Sequence, residues 1–163
     1  MGEASQREVR AGLEQCLARL WRYALTLSRA SDVAEDLVQA TCLRAIERAD
    51  QFASGTRLNR WLFAILRSIW FNDIRARRIR EGGGLVDAEE ALSTGGAHII
   101  ETNVLATEVL KAINRLSEAQ RETTLLAYGE GYTYAEAADA LGIPIGTVMS
   151  RLAAARSALA KLK

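Results

Sequence analysis

Residues that build sheets, metal sites and disulfide frameworks are scarce in this chain. Its 163 residues include one proline, two cysteines and one histidine, and β-branched residues rarely cluster. A half-buried strand needs apolar and polar residues in strict alternation, so few segments are suited to a sheet. Nearly every other segment repeats its apolar residues at three- and four-residue steps, which is typical of amphipathic helices. The sequence therefore predicts an all-α protein.

Segments suited to membranes or to export are also missing. No apolar run approaches the roughly 20 residues that span a bilayer, and the first ten residues are charged and polar, with no signal-peptide core behind them. We expect a cytoplasmic protein without membrane insertion. Cys16 and Cys42 lie in apolar helical patterns, and we expect both to be reduced core residues.

The residue groupings that perform catalysis are absent from the sequence. His98 has no Cys or His neighbour, and the glycines at 82–84 lack the preceding strand and the following Lys-Ser/Thr of a phosphate-binding loop. No pair of carboxylates or set of metal ligands has a suggestive spacing. We therefore expect no enzymatic activity, no cofactor and no metal.

A basic block and an acidic block lie end to end in the middle of the chain. Residues 57–80 hold seven arginines and one aspartate, a net charge of +6, whereas residues 81–108 hold six acidic residues and no Lys or Arg, a net charge of −6. Two glycine groups bracket the acidic stretch, which lacks the periodicity needed to bury a face. The sequence thus predicts two small helical domains, 1–80 and 103–163, joined by a flexible acidic linker, 81–102.

Three amphipathic helices are predicted in the first domain. The first covers roughly 8–28, and the second follows a cap at Ser31 and Asp32, with Glu35 in the capping-box position. The third covers 60–80, and its buried stripe is predicted to contain Trp61, Leu62, Ile65, Ile69 and Ile74.

The third helix holds more aromatic residues than one face can bury. Phe63, Trp70 and Phe71 cannot all join the stripe, so we expect aromatic surface beside the arginines. Bases stack on aromatic rings at about 1–3 kcal/mol each while arginines follow phosphates, which is what binding of single-stranded nucleic acid needs. The alternative is that the rings only fill a core.

The segment GYTYAEAADALGIPIGTVMSRLAAAR, residues 131–156, has the pattern of a helix-turn-helix. Gly142 suits the turn because glycine adopts a left-handed conformation at little cost, and Pro144 suits the start of the next helix. In the first helix, Ala135, Ala138 and Leu141 are predicted to face inward. Two capping boxes are predicted in this domain: Ser117 with Gln120, and Thr133 with Glu136.

The second helix of such a motif lies in the major groove of DNA. Ile145, Val148 and Leu152 are predicted to pack behind it. The face has few charges, so this domain alone should bind weakly. A plain helical hairpin with a solvated polar face is the alternative. The residues predicted to contact DNA are Thr147, Met149, Ser150, Arg151 and Arg156.

Three segments in this order resemble an extracytoplasmic-function, or group IV, sigma factor of bacterial RNA polymerase. AEDLVQATCLRAIE is similar to the segment that docks on the clamp helices of the largest polymerase subunit. LNRWLFAILRSIWFNDIRARR is similar to the helix that melts the promoter and recognises the −10 element. The segment from LSEAQRE to LAAAR is similar to the −35-binding domain. FASGTRLNRWLFAILRS is most similar to the branch that runs the general stress response of alphaproteobacteria.

The resemblance implies both partners and site residues. The implied partners are core RNA polymerase, promoter DNA and an anti-sigma factor. The loop before Trp61 would hold a −10 base flipped out of the stack. Core polymerase would be bound by Asp36, Leu37, Gln39, Leu43 and Arg44. The −10 DNA would be bound by Arg57, Asn59, Trp61, Arg67, Ser68, Asn72, Arg75, Arg77 and Arg78, and the −35 DNA by Thr147, Met149, Ser150, Arg151 and Arg156.

Two other functions remain open. The chain could sequester an anti-sigma factor without initiating transcription, because Met149, Ala153 and Ala154 stand where basic or bulkier residues are common in the family. It could also be a free-standing helix-turn-helix regulator. That hypothesis leaves the helix of aromatic residues and arginines unexplained, and it predicts tight binding to duplex DNA without polymerase.

Overall fold

The structure is a computed structural model that describes residues 2–81 and 104–161. These residues separate into two compact units, here called unit one (2–81) and unit two (104–161). Every regular element within the two ranges is helical, which confirms the prediction of an all-α protein with two helical domains. Apart from Glu81, the predicted acidic linker and His98 lie outside the described residues. The boundaries 1–80, 81–102 and 103–163 stay predictions.

Unit one is built from three long helices that pack against one another. The first begins earlier than predicted because buried Ser5 extends the core-facing row of Val9 by one turn. A short 3-10 turn, Ala49–Gln51, follows the second helix. The helices are α1 (Gly2–Ser28), α2 (Ser31–Glu47) and α3 (Leu58–Arg80).

The predicted cap at the start of α2 is wrong. Only two residues join α1 to α2, with Arg29 in a left-handed conformation (φ 58°) and Ala30 extended as the N-cap, without a capping side chain. The helix therefore already includes Ser31 and Asp32. Ser28 supplies local hydrogen bonds instead: its hydroxyl accepts from the Ala30 N–H (3.4 Å) and donates to the Ala30 carbonyl (3.1 Å).

The buried face of α3 also differs from the prediction. Trp61, Ile65 and Ile74 are only half-buried. The face is rotated because α3 packs against both α1 and α2, and a ring of α1 lies on it: Tyr23 meets Phe63 edge to face, with 5.0 Å between ring centroids. Two of the aromatic residues therefore belong to the core. The buried residues are Leu62, Phe63, Leu66, Ile69 and Trp70.

Unit two contains the predicted helix-turn-helix. Both predicted capping boxes are confirmed, with the side chain and backbone hydrogen bonds of each pair in place. A π-helical turn, Leu125–Gly129, ends the second helix. The helices are α4 (Val104–Asn114), α5 (Glu118–Thr124), α6 (Tyr134–Leu141) and α7 (Ile145–Ala160).

The turn between α6 and α7 is formed as the sequence predicts. Gly142 ends α6 in a left-handed conformation (φ 65°), and Pro144 is the N-cap of α7. Two residues predicted to face inward do not: Ala135 is exposed, and Ile145 is 49 % exposed. Because α6 has only eight residues, its core contacts come from a narrow row near its end. The buried residues of the pair are Ala137, Ala138, Leu141, Val148, Leu152 and Ala155.

The turn glycine provides a stability test with a matched control. Gly142→Ala is expected to lower the free energy of unfolding of unit two by about 1 kcal/mol, because a left-handed conformation is costly for alanine. Gly146 lies inside α7, and an added Cβ there meets no atom within 4 Å. Gly146→Ala is therefore expected to be neutral or to stabilise by about 0.5 kcal/mol. Urea unfolding followed by circular dichroism measures both, and equal changes would contradict the assignment.

Candidate functional site

The outward face of α2 combines charge with an exposed apolar anchor. Asp36, Gln39 and Leu43 lie at three- and four-residue steps and are all exposed, Leu43 by 61 %. Arg44 is half-buried at the edge of this face, whereas Leu37 is only 4 % exposed and belongs to the core. Four of the five residues predicted to bind polymerase therefore lie on this face or at its edge, whereas Leu37 packs beneath it.

Ile46 was missed by the sequence reasoning. It lies one turn after Leu43 and is also exposed, so the two residues form an apolar pair on the outer side of α2. Its spacing from Leu43 was the available signal, since residues three apart on a helix are neighbours.

A groove between α2 and α3 adjoins this face. Asp36 contributes from α2, and Asp73 and Arg77 contribute from α3. Two residues predicted to bind polymerase, Asp36 and Leu37, and one predicted to bind DNA, Arg77, thus border the same depression. The groove has a volume of about 250 Å³ and is lined by Val33, Asp36, Leu37, Ala40, Ile69, Trp70, Asp73 and Arg77.

The outer side of α3 carries polar residues and then arginines. Ser68, Asn72 and Arg75 are exposed and lie at steps of four and three, so they form one stripe along the helix. Arg77 and Arg78 are exposed in the last turn. Cations there also interact favourably with the helix dipole, so these arginines have a structural role of about 0.3–1 kcal/mol each, besides any contact with DNA.

Less aromatic surface is present beside these arginines than the sequence predicts. Phe63 and Trp70 are buried, so Phe71 and Trp61, both half-buried, are what remains on α3. The Arg67 guanidinium lies over the Phe71 ring, 4.5 Å from its centroid, a cation–π arrangement. An aromatic ring and an arginine therefore do lie side by side on α3, but fewer aromatic rings are exposed there than the sequence predicts.

The loop before α3 is held by a second aromatic contact. Phe52 is buried and packs on Trp61, with 5.2 Å between ring centroids. Arg57 is exposed as the N-cap of α3, and Asn59 is half-buried in its first turn. The structure thus brings Arg57, Asn59 and Trp61 together at the start of one helix, next to this loop.

The start of α7 presents a mixed surface. Met149 and Ser150 are exposed, whereas Thr147 and Arg151 are half-buried. The Ser150 hydroxyl donates to the Thr147 carbonyl at 3.0 Å, so its lone pairs stay free to accept. Ile145, which was expected in the core, lies four residues before Met149 and gives this end of the helix a second exposed apolar side chain.

Arg156 has a partner within unit two. Its Nη1 donates to the Tyr128 hydroxyl at 2.8 Å, although both side chains are exposed. This hydrogen bond is the main reason why the pKa of Tyr128 lies below its ordinary value, with Tyr134 also contributing. The predicted DNA contact of Arg156 therefore starts from a side chain already oriented by a tyrosine.

The Tyr128–Arg156 hydrogen bond predicts a pH dependence. Since the folded-state pKa of Tyr128 is lowered, folded unit two loses this proton before the unfolded chain does. The stability of unit two should therefore rise as pH increases through the folded pKa towards the ordinary tyrosine value near 10. Absorbance titration of tyrosinate checks the pKa, since Arg156→Ala should move the Tyr128 ionisation to higher pH. Urea unfolding at the same pH values checks the stability, which should rise in the wild type but not in Tyr128→Phe. An unchanged titration in Arg156→Ala would contradict it.

Within residues 2–81 and 104–161, neither a group of metal ligands nor a membrane-spanning helix is found. No group of three or more His, Cys, Asp or Glu side chains there could hold a metal ion. No helix in those ranges is long and apolar enough to cross a bilayer. Cys16 and Cys42 form no disulfide, and each is only half-buried, although both were predicted to be core residues. Burial, and to a lesser degree Cys16, raises the pKa of the Cys42 thiol.

Two family descriptions match the chain in order. Residues 13–80 match "Sigma-70 region 2", and residues 106–159 match "Sigma-70, region 4". The ECF RNA polymerase sigma factor EcfG of Rhodopseudomonas palustris (strain TIE-1) is 36 % identical over 142 residues, which are 86 % of this chain and 76 % of EcfG. SigC of Mycobacterium tuberculosis (strain CDC 1551 / Oshkosh), also an ECF RNA polymerase sigma factor, is 36 % identical over 153 residues, 94 % of this chain and 82 % of SigC.

Solved structures agree with these matches. The sigma factor RpoE from Bartonella quintana, crystallised with the anti-sigma factor NepR, superposes with a TM-score of 0.78 at 33 % identity and covers 96 % of both chains. CnrH, solved with the cytosolic domain of CnrY, shares the fold at 22 % identity and a TM-score of 0.60. The chain belongs to the extracytoplasmic-function sigma factors of the sigma-70 family, the subunits that direct RNA polymerase to promoters.

Proposed function

We propose that this sigma factor binds core RNA polymerase through the outward face of α2. The observation that supports this most is Leu43, an apolar side chain 61 % exposed, with Ile46 one turn away and Asp36 and Gln39 on the same face. Interfaces commonly combine a few apolar anchors with a polar rim. Arg44 completes the rim, and buried Leu37 holds the helix on its core.

The −10 element is bound by α3 and the loop before it. Its stripe of Ser68, Asn72 and Arg75 offers hydrogen bonds along one side of the helix. Arg67, Arg77 and Arg78 add charge for the phosphates, and Phe71 adds a ring face. Extruding a base costs a few kcal/mol, which contacts from Arg57, Asn59 and Trp61 at the start of α3 offset.

The −35 element is bound by α7. Ile145 and Met149 can contact thymine methyl groups, Ser150 can accept hydrogen bonds, and Thr147 can accept or donate them. Arg151 and Arg156 supply the few positive charges near this face. Such a surface binds weakly alone, so its occupancy depends on polymerase, which holds both units near the promoter and raises the effective concentration of each.

A small anti-sigma factor holds the free protein. The likeness to RpoE, which was crystallised with NepR, supports a partner of that kind, and the likeness to EcfG supports the general-stress branch. The protein acts in the cytoplasm, where it meets polymerase, and has no catalytic activity or cofactor of its own. The acidic segment 81–102 links region 2 (1–80) to region 4 (103–163).

Reconstituted transcription tests this function. Purified protein added to sigma-free core polymerase and genomic DNA is expected to start transcripts at specific promoters, and Asp36→Arg is expected to abolish them. Core binding without new transcripts, together with capture of an anti-sigma factor, would favour the sequestering alternative. Tight, specific binding to duplex DNA without polymerase would favour a free-standing regulator.

A further inference from the structure

We propose that Glu8 of α1 is a positioning residue for −10 recognition, because its carboxylate fixes the loop of residues 52–57 in place. The proposal rests on the function proposed above for this loop and for the start of α3. It concerns a residue of a different helix, outside the polymerase and promoter surfaces already described.

Glu8 binds the loop through both carboxylate oxygens. The Ser54 hydroxyl donates to Oε2 at 2.5 Å, and the Gly55 N–H donates to Oε1 at 3.4 Å. These partners are 46 and 47 residues away in sequence, so the contact is a tertiary one. Hydrogen bonds to a carboxylate are stronger than those between neutral groups.

The loop that Glu8 holds is closed by its own tight turn. Thr56 donates twice to the Ala53 carbonyl, from its N–H at 3.1 Å and from its hydroxyl at 2.6 Å. Gly55 has a φ of 85°, a left-handed conformation that favours glycine. The turn therefore has a defined shape, and Glu8 fixes where that shape lies relative to α1.

A second contact between α1 and the start of α3 lies one turn after Glu8. A Cβ added at Gly12 would lie 2.4 Å from Leu58 Cδ2, so the absence of a side chain lets Leu58 approach α1 closely. Phe52 anchors the other end of the loop in the core. The loop is thus held at both ends by apolar contacts and in the middle by Glu8.

Fixing this loop reduces the cost of binding DNA. Ordering a flexible segment on binding costs conformational entropy, and a segment that is already ordered avoids this cost. Arg57 is the last residue of the loop and the N-cap of α3, and Asn59 and Trp61 lie in the first turn of that helix. Glu8 therefore acts on the −10 element through the position of these residues, without touching DNA.

The test compares holoenzymes in binding the non-template −10 strand of a promoter that wild-type holoenzyme uses. Glu8→Ala and Ser54→Ala are each expected to weaken this binding about five- to tenfold, the effect of losing roughly one hydrogen bond of ordinary strength at an exposed site. The double variant should be no weaker than either single one. Affinity for core polymerase should not change. Glu14→Ala, which removes an exposed carboxylate of the same helix, is the matched control and should bind normally.

The outcomes distinguish the role of Glu8 from the −10-binding function proposed for the loop. Normal −10 binding by both Glu8→Ala and Ser54→Ala would overturn the role of Glu8. A purely structural role would instead lower the melting temperature of unit one and the affinity for core polymerase together, and this would also overturn it. If wild-type holoenzyme does not prefer the −10 strand over a scrambled strand, the function proposed for the loop fails, and this proposal fails with it.

Discussion

Replacing Leu43 by glutamate is expected to weaken binding to core RNA polymerase about 100-fold or more. The side chain projects from α2 into solvent in the free protein, so the substitution should leave unit one folded. In the complex it would place an unpaired carboxylate where an apolar anchor is buried, and such a change costs several kcal/mol. Competition with a labelled sigma factor for core polymerase measures the loss.

Leu17→Glu is the matched control for this substitution. Leu17 lies on α1, is 42 % exposed and has the same side chain, so both variants change charge and hydrophobicity equally. We expect Leu17→Glu to bind core polymerase with nearly wild-type affinity. Equal loss in the two variants would indicate a general effect of charge, and normal binding by Leu43→Glu would remove α2 as the polymerase-binding face.

Replacing Arg75 and Arg78 together by alanine is expected to weaken binding of holoenzyme to −10 DNA about 25-fold at 0.1 M salt. Each phosphate contact with a single strand contributes about 0.7 to the slope of log affinity against log salt, so the slope should fall by about 1.4. Both side chains are exposed, and neither lines the groove that contains Asp36. Fluorescence titrations at several salt concentrations measure affinity and slope in one experiment.

Arg7 and Arg10 of α1 provide the control for the arginine pair. They are exposed, and replacing both removes the same charge from unit one. If DNA were attracted only by the net charge of the protein, this variant would lose as much affinity for −10 DNA as the α3 variant. We expect an almost unchanged slope of log affinity against log salt for the α1 pair. An unchanged slope for Arg75 and Arg78 would contradict phosphate binding by this end of α3.

Local signals in the sequence predict the ends of several helices. The Ser117 and Thr133 capping boxes and the left-handed turn at Gly142 each depend on a few neighbouring residues, and all three are present. The start of α2 was missed because its N-cap is Ala30, which has no capping side chain, while Ser31 and Asp32 already lie inside the helix. Sequence spacing does not show which of several neighbouring residues will be the N-cap of a helix.

The sequence was less informative about which side of a helix is buried. Whether Phe63 or Trp61 faces the core depends on how α3 sits between α1 and α2, which periodicity does not determine. For the same reason, Leu37 was predicted to lie on the surface and Ile145 to lie in the core. The contact of Glu8 with Ser54 joins residues 46 positions apart, and no local pattern indicates it. The candidate site was therefore predictable as segments but not as individual side chains.

The function proposed for this chain requires that its two units recognise two separate promoter elements. The most direct test maps the 5′ ends of RNA made from genomic DNA by holoenzyme containing either the wild-type protein or a variant with Met149 and Ser150 replaced by alanine. We expect wild-type starts behind a shared pair of −35 and −10 elements, and variant starts that keep the −10 element but lose the preference at −35. Wild-type starts without a shared −35 element, or variant starts identical to the wild type, would contradict it.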